Sequence, residues 1–594
     1  MTTKFSTSWL RTLALLMLVA LLVPAIAACG GGAAPAPQEP AAEEPAAEEP
    51  AAEEPAAEEP AAEEPAAEEP AAAGESAEYL VFGGSGEPDS LDSMDTTAGT
   101  SLIVTRQIQE QLITFADGSL ELVPALAESW EPNEDSTEWT FNLRQGVTFH
   151  DGTPFNADAV VFNFERLANP DFEFGFRDTT PAKTYAIFPQ IFGGFIGDEG
   201  TFWDGIEAVD ENTVVIRLTR PTPLLPNLIA AAYFGISSPT AIQEAGPLYG
   251  TPEGGAVGTG PFQFVEWQPG QSITLERYED YWGDTAQMPG VVVRFIDDAA
   301  QRLAEIQAGA VDFTINLAPD ARETLESDPN LQETPLEPFN IAYLSMNINN
   351  PPLNDPLVRQ AIAHAIDREA ILEGFYSGVG TIADDFLPDG LAWARPDDIV
   401  RYEYDPERAR ELLAEAGYPD GFSTMTLPDG SEAPLELWYM PVSRPYYPTP
   451  QPVAEVYATY LADIGIEVEL KTEDWGVYLD NWDAGTKYGL VMLGWTGDYA
   501  DPNNFLFTHF GPGVIPQSGY DNPAVFDLLA KASVAPSQDA AADLFKQAGT
   551  LLNEELPRLP IVHAPPVYGQ KTALEGWVPS PTGGEPFNDI FIEK

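Results

Sequence analysis

Leu435-Glu-Leu-Trp-Tyr439, Ile466-Glu-Val-Glu-Leu470 and Leu490-Val-Met-Leu493 are three short runs within one stretch of the chain. The first and third are mostly apolar, and the second alternates like a half-buried strand. Between the first two, residues 451–464 have helical character and stop at Gly465. Between the second and third, residues 475–484 are again helical in pattern. Strand, helix, strand, helix, strand in this order predicts an α/β fold with a parallel sheet and right-handed crossovers. Parallel strands send their carboxyl ends to one edge, and open α/β sheets bind ligands there. The first strand runs into Met440-Pro-Val-Ser-Arg444-Pro-Tyr446-Tyr-Pro448, and the third into Gly494-Trp495-Thr496-Gly497-Asp498-Tyr-Ala-Asp501-Pro502. A guanidinium and a carboxylate are thus expected on the same edge.

Neither charge has a partner nearby in sequence. Acids outnumber bases 94 to 27, yet no Asp or Glu lies from Leu437 through Ala454. No Lys or Arg lies from Tyr488 through Ala530. Three states are open: Arg444 and Asp498 pair with each other, they pair with distant residues, or they meet a ligand. Opposite poles at neighbouring strand ends would grip a small zwitterion, such as a short peptide, by both ends. Trp438, Tyr439, Tyr446, Tyr447, Trp495 and Tyr499 cluster around the charges. Pockets combine apolar walls with a few placed polar groups, although each aromatic taken singly fits core packing. Pro445, Pro448 and Pro502 stiffen both loops in either case.

Outward from this unit the second half stays regular. Asp355-Pro356 and Asp405-Pro406 each pair an N-cap with a proline at the first helical position. Val358, Ile362, Ala365 and Ile366 form the apolar stripe of the first helix, and Leu412, Leu413 and Ala416 lead the second to a stop at Gly417. In the first half, Tyr79–Phe82, Glu138–Leu143 and Thr213–Leu218 read as strands, and 156–167 as a helix with Asn156 near its start. The folded body begins near Glu78.

Before it lie two different segments. Lys4 and Arg11 flank the start of an apolar run over 13–23, and the segment ends Ala25-Ile26-Ala27-Ala28-Cys29. A cationic start, a short apolar core and small residues before a cut read as a secretory signal, residues 1–28. The Ile-Ala-Ala-Cys end resembles the lipobox of bacterial lipoproteins, which implies lipidation of Cys29. Residues 29–77 then follow, with Pro-Ala-Ala-Glu-Glu repeating from Pro40 to Pro70. Proline every fifth residue interrupts helical bonding, paired Glu repel, and nothing there builds a core. The low-complexity part of this segment, residues 30–75, is an expected extended stalk, reaching at most ~140 Å at about 3.1 Å per residue.

Bulk composition narrows the function. At 594 residues, with 44% hydrophobic content, the chain is too long for one core. A net charge of −67 excludes a nucleic-acid role, which needs clustered Lys and Arg. The single cysteine excludes an intramolecular disulfide and a cysteine metal cluster.

Several stretches carry a family resemblance: Glu121-Leu-Val-Pro-Ala-Leu-Ala-Glu-Ser-Trp130, Phe141 through Phe155, Gly258-Thr-Gly-Pro-Phe262, Val358 through Asp367, Tyr404 through Leu413, and Gly494 through Phe505. Together they resemble the peptide-binding branch of the bacterial extracellular solute-binding proteins, family 5, which feed ABC importers. The resemblance implies a two-lobed periplasmic-binding-protein-like (type II) fold with an extra subdomain in the first lobe. Lobe 1 is expected over 78–338, lobe 2 over 339–560, and a return to lobe 1 over 561–594, with crossings near 335–342 and 558–566. It implies that Asp498 takes the ligand ammonium and Arg444 its carboxylate. Gly494 and Thr496 would offer main-chain hydrogen bonds, while Trp495 and Tyr446 would wall the pocket. The Pro448–Pro452 run departs from the family pattern and puts strict dipeptide length in question. The implied partners are a short peptide and a membrane permease, with the protein a monomer held at the outer face of the cell membrane.

Two other classes compete. Nickel or haem binding occurs in the same family, but His150, His364, His509 and His563 are scattered and lack metal-ligand spacing. An exported hydrolase would need a catalytic motif, and neither His-Glu-x-x-His nor Gly-x-Ser-x-Gly is present. No cofactor, metal site or catalytic residue is expected.

Overall fold

The computed structural model describes residues 79–583 and 586–593. The expected signal, Cys29 and the repeat segment lie outside the described residues.

Two mixed sheets organise the body. The first has seven strands, in the order Leu331–Thr334, Val567–Lys571, Phe313–Leu317, Leu80–Gly84, Gly290–Phe295, Ser272–Arg277 and Phe262–Gln268. Leu80–Gly84 runs parallel to both of its neighbours. The second has six strands, in the order Thr381–Ile382, Arg558–His563, Asn340–Met346, Leu490–Thr496, Glu436–Trp438 and Glu469–Lys471. A separate four-stranded antiparallel sheet, Ala127–Pro132, Glu138–Leu143, Thr213–Leu218 and Trp203–Asp210, carries its own aromatic-rich core.

The chain leaves the seven-stranded sheet after Thr334 and enters the six-stranded one at Asn340. It returns between His563 and Val567. The two passages are stitched side by side. Asn340 donates from Nδ2 to the Ala564 carbonyl at 2.8 Å and accepts from the Ala564 N–H at 3.2 Å, so one amide imitates a pair of ladder bonds. His563 Nδ1 donates to the Asn340 carbonyl at 2.6 Å.

Local chemistry sets the helices of the second half. Asp355 accepts from the Leu357 N–H at 2.9 Å to start Pro356–Ala365. Asp405 accepts from the Glu407 and Arg408 N–H groups to start Pro406–Glu415. These carboxylates satisfy donors that no helical carbonyl reaches. Gly417 and Gly465 follow their helices at φ 93° and 88°, a left-handed geometry that a Cβ would strain.

The βαβαβ unit differs from its sequence reading in two places. Glu436–Trp438 is parallel to both Glu469–Lys471 and Leu490–Thr496, as expected, but the middle strand starts later. Ile466 makes only an isolated bridge to Phe422, and the Glu467 N–H donates to the Phe422 carbonyl. The neighbouring chain changes from Phe422 to Leu435 before the ladder begins, so alternation persists while strand pairing breaks. The last strand runs longer than the apolar run and includes Gly494, Trp495 and Thr496, because Asn340–Met346 pairs with it along its whole length.

Candidate ligand-binding site

Arg444 lies six residues past Trp438, and Asp498 lies two past Thr496, so both leave the same edge of the sheet. They do not neutralise each other, and among the described residues neither forms an ion pair. The Arg444 loop is closed by reciprocal main-chain bonds between Arg444 and Tyr447, both at 3.0 Å. Its guanidinium lies 5.1 Å from the centre of the Trp475 ring, makes a long contact of 3.5 Å to the Ser443 carbonyl, and interacts with the Tyr446 hydroxyl. Arg444 is exposed and lines a cavity of about 420 Å³. Segments attached to both sheets share that lining, including Asp298, Asn316 and Pro319 on one side and Tyr376 and Pro448 on the other.

Asp498 is not among the residues that line this cavity. Its half-buried carboxylate accepts from the Tyr233 hydroxyl at 3.1 Å and from Asn504 Nδ2 at 3.1 Å. Asn504 also accepts from the Asp498 N–H at 2.9 Å and from Trp495 Nε1 at 3.0 Å, which fixes the turn after the strand. Burial pushes the Asp498 carboxyl above its usual range, against the two hydrogen bonds that favour its charge. Burial likewise raises the Tyr233 phenol well above its ordinary value, and the Asp498 charge adds to it. Both donors to Asp498 are neutral, so no cation offsets the charge.

Tyr233 belongs to the core of the four-stranded sheet, whereas Asp498 extends from the six-stranded one. Asn227 Nδ2 makes a second such contact, donating to the Ala500 carbonyl at 3.3 Å. Nothing in the sequence pointed to Tyr233 or Asn227, since both lie far away along the chain. Asn504 was closer to hand, in the turn that Asp501-Pro502 opens, where Asp501 accepts from the Asn503 N–H at 2.8 Å. Trp475 opens the helix Trp475–Asp483, and nothing in its sequence position places it beneath Arg444.

Tyr446 is buried and lies against Gly494. A Cβ on Gly494 would come 2.1 Å from the Tyr446 ring and 2.5 Å from the Ile341 carbonyl, so only glycine fits there. The Tyr376 hydroxyl donates to the Tyr446 carbonyl at 2.7 Å and ties down the Arg444 loop. Trp495 is half-buried with its ring 5.1 Å from that of His509, and Thr496 is exposed. On the side away from Asn340–Met346, the strand pairs with Glu436–Trp438 only at Leu490 and Val491. Tyr478 donates its hydroxyl to the Met492 carbonyl at 2.9 Å, and no strand among the described residues pairs with 493–496 on that side. An unpaired strand edge is a template for an extended peptide.

The histidines play another part. His150 Nε2 donates to the Gly260 carbonyl at 2.9 Å, His364 Nδ1 to that of Glu403 at 2.7 Å, and His509 Nδ1 to that of Phe505 at 2.8 Å. Burial lowers His150 and His563 to about 4, so both are neutral scaffold groups. Among the described residues, no group of three or more His, Cys, Asp or Glu is placed to hold a metal ion.

This is the architecture of a two-lobed, type II solute-binding fold, with candidate groups contributed from facing lobes. The model of the bacterial extracellular solute-binding proteins, family 5 Middle, matches residues 121–517, and the chain belongs to that family. The dipeptide-binding protein of Escherichia coli K12 is 33% identical over 538 residues, covering 88% of this chain and 96% of that protein. Heme-binding protein A of Haemophilus influenzae is 32% identical, covering 82% of this chain and 87% of that protein. The periplasmic binding protein DppA of Helicobacter pylori, solved in complex with the peptide STSA, superposes with a TM-score of 0.70 at 28% identity, covering 87% of this chain and 98% of that one.

Proposed function

We propose that this chain captures dipeptides or short oligopeptides by lobe closure and delivers them to the permease of an ABC importer. The observation that carries this reading is Asp498, a half-buried carboxylate with only neutral donors, held between two lobes. A ligand ammonium would supply the missing positive charge through a charge-assisted hydrogen bond. Arg444 would receive the carboxylate, with Trp475 beneath it. Gly494 and Thr496 would pair with the peptide main chain along the open strand edge, and Trp495 and Tyr446 would wall it. Ligand touching both lobes favours the closed arrangement, since only differential affinity for the two states can shift their balance. The peptide leaves unchanged, because no step of this capture breaks a bond. Titration calorimetry with a panel of free dipeptides and tripeptides tests the reading. Micromolar or tighter binding supports it, and no heat from any peptide defeats it. Visible absorption of haem retained through purification would favour the activity for which the Haemophilus influenzae relative is named.

The chain is exported and tethered through lipidated Cys29, with the repeat segment as spacer and the folded body a monomer. The small-residue run before Cys29 supports this. Mass spectrometry of the mature N-terminus, compared with that of a Cys29→Ser variant, tests it, and an unprocessed or unlipidated wild-type terminus would contradict it.

A further inference from the structure

Three arginines line the cavity of about 420 Å³ beside the Arg444 loop, and each is used differently. Arg302 is buried and turns inward on its own side, donating to the Ile296, Asp297, Ile315 and Asn316 carbonyls. Arg444 is exposed. Arg322 is 6% exposed and reaches across between the sheets. It lies in the helix Ala321–Ser327, between two strands of the seven-stranded sheet. Its Nε donates to both oxygens of Glu333, at 3.0 and 3.1 Å, on the next strand of its own side. Its Nη1 donates to the Tyr376 carbonyl at 3.1 Å, and its Nη2 to the Pro565 carbonyl in the returning passage at 3.5 Å. Tyr376 ends the helix Arg368–Tyr376, which follows a strand of the six-stranded sheet. The last carbonyls of a helix lack helical donors and form its negative end, so a guanidinium is well matched there. A second bond runs the other way, from the Ser377 hydroxyl to the Pro319 carbonyl at 3.2 Å.

Tyr376 also holds the Arg444 loop. It is 2% exposed, and its hydroxyl donates to the Tyr446 carbonyl at 2.7 Å. On the far flank of the loop Tyr447 is buried, and its hydroxyl meets the Tyr343 carbonyl at 3.3 Å and the Tyr457 hydroxyl at 3.0 Å. One flank is therefore fixed within its own lobe, and the other through Tyr376. We infer that Arg322 is a positioning residue for Arg444. From the opposite lobe it fixes the end of the helix Arg368–Tyr376, and Tyr376 carries that position to the loop that bears the guanidinium. The arrangement of the lobes and the placement of Arg444 are thereby coupled. The consequence for binding rests on the peptide reading above; the coupling itself does not.

Hydrogen exchange followed by mass spectrometry on the unliganded protein tests the coupling without a ligand. The reporter is the segment 440–448, where the Arg444 and Tyr447 N–H groups are held by their reciprocal bonds. In Arg322→Gln and in Tyr376→Phe these amides should exchange on the order of tenfold faster, the scale of one lost hydrogen bond. The helix Pro356–Ala365 in the same lobe should keep its wild-type rate. Arg322→Lys, which returns a charged donor to the Tyr376 carbonyl, should bring the loop back toward the wild type. Wild-type exchange of the loop in either Arg322→Gln or Tyr376→Phe overturns the inference. An equal rise in Pro356–Ala365 also overturns it, because the arginine would then be a general stabiliser. Calorimetric titration with Ala-Ala adds the functional arm: affinity should fall a few-fold in Arg322→Gln, and that loss should vanish on an Arg444→Ala background. An equal loss on both backgrounds contradicts the coupling. Absence of binding by the wild type overturns the peptide reading, and the exchange result then decides the coupling by itself.

Discussion

Two groups of charged side chains in this molecule have opposite construction. In the first half, Arg166 donates from both Nη atoms to Asp92, at 2.6 and 2.9 Å, and both side chains are almost fully buried. Lys183 joins them, 3.7 Å from Asp92 and 3.1 Å from Asp95, and donates to the Tyr249 carbonyl at 2.7 Å. Burial pushes Asp92 up, but the positive charges of Arg166 and Lys183 outweigh it and hold the carboxyl below its usual range. The second group is Asp498, with neutral donors only, and the exposed Arg444 across the strand ends. The first cluster balances its charges internally and ties segments 92–95, 166 and 183 into one scaffold. The second leaves a charge uncompensated. On this contrast the satisfied cluster is read as scaffold, and the unsatisfied one as the place proposed above for a ligand.

The largest effect should come from breaking the satisfied cluster. Arg166→Met leaves Asp92 buried without its main partner, and denaturant unfolding should show a loss of about 3–5 kcal/mol. A loss under about 1 kcal/mol would mean that the cluster is not the scaffold claimed here. Next is Asp498→Asn, which keeps the shape and removes the charge. Peptide affinity should fall by about 2–5 kcal/mol, while the unliganded melting temperature stays the same or rises, because an uncompensated charge has gone. A matching drop in unliganded stability would place Asp498 with the scaffold instead.

Asp501 sharpens the contrast from its position in the same turn. It is buried, and burial pushes its carboxyl up to about 6. A folded value above the unfolded one, near 3.9, contributes stability that is full below pH ~4 and is lost as pH rises through about 6. Asp501→Asn keeps the cap geometry and should show no such loss. Its stability advantage over the wild type should therefore open between pH 4 and pH 7, reaching roughly 1–3 kcal/mol. A constant difference across that range would show that the carboxyl does not titrate there. The smallest effect belongs to Arg444→Ala. Exposed ion pairs contribute about 0–1 kcal/mol, so dipeptide affinity should weaken by a few-fold and more so at low salt.

The fold was legible where one physical signal dominated. Asp355-Pro356 and Asp405-Pro406 announced their helices because capping is local chemistry. Glu138–Leu143 and Thr213–Leu218 were readable from alternation, since one face of that sheet is buried. The late start of Glu469–Lys471 was not readable, because a ladder depends on its neighbour, and the neighbour changed at Leu435. The extension of the last strand through Thr496 was hidden for the same reason, since its partner Asn340–Met346 lies far away in sequence. For the site, the absence of local counter-charges singled out Arg444 and Asp498. What sequence could not supply was their unequal exposure, or Tyr233, whose hydroxyl reaches Asp498 only through the packing of a different sheet.

The most direct test of the account is a paired titration of one free dipeptide, Ala-Ala, against the wild type and Asp498→Asn, with the melting temperature of each unliganded protein recorded alongside. The account predicts a loss of affinity on the order of 100-fold with no fall in melting temperature. Equal affinity of the two proteins would contradict it, because the carboxylate would then not be the group that holds the ligand.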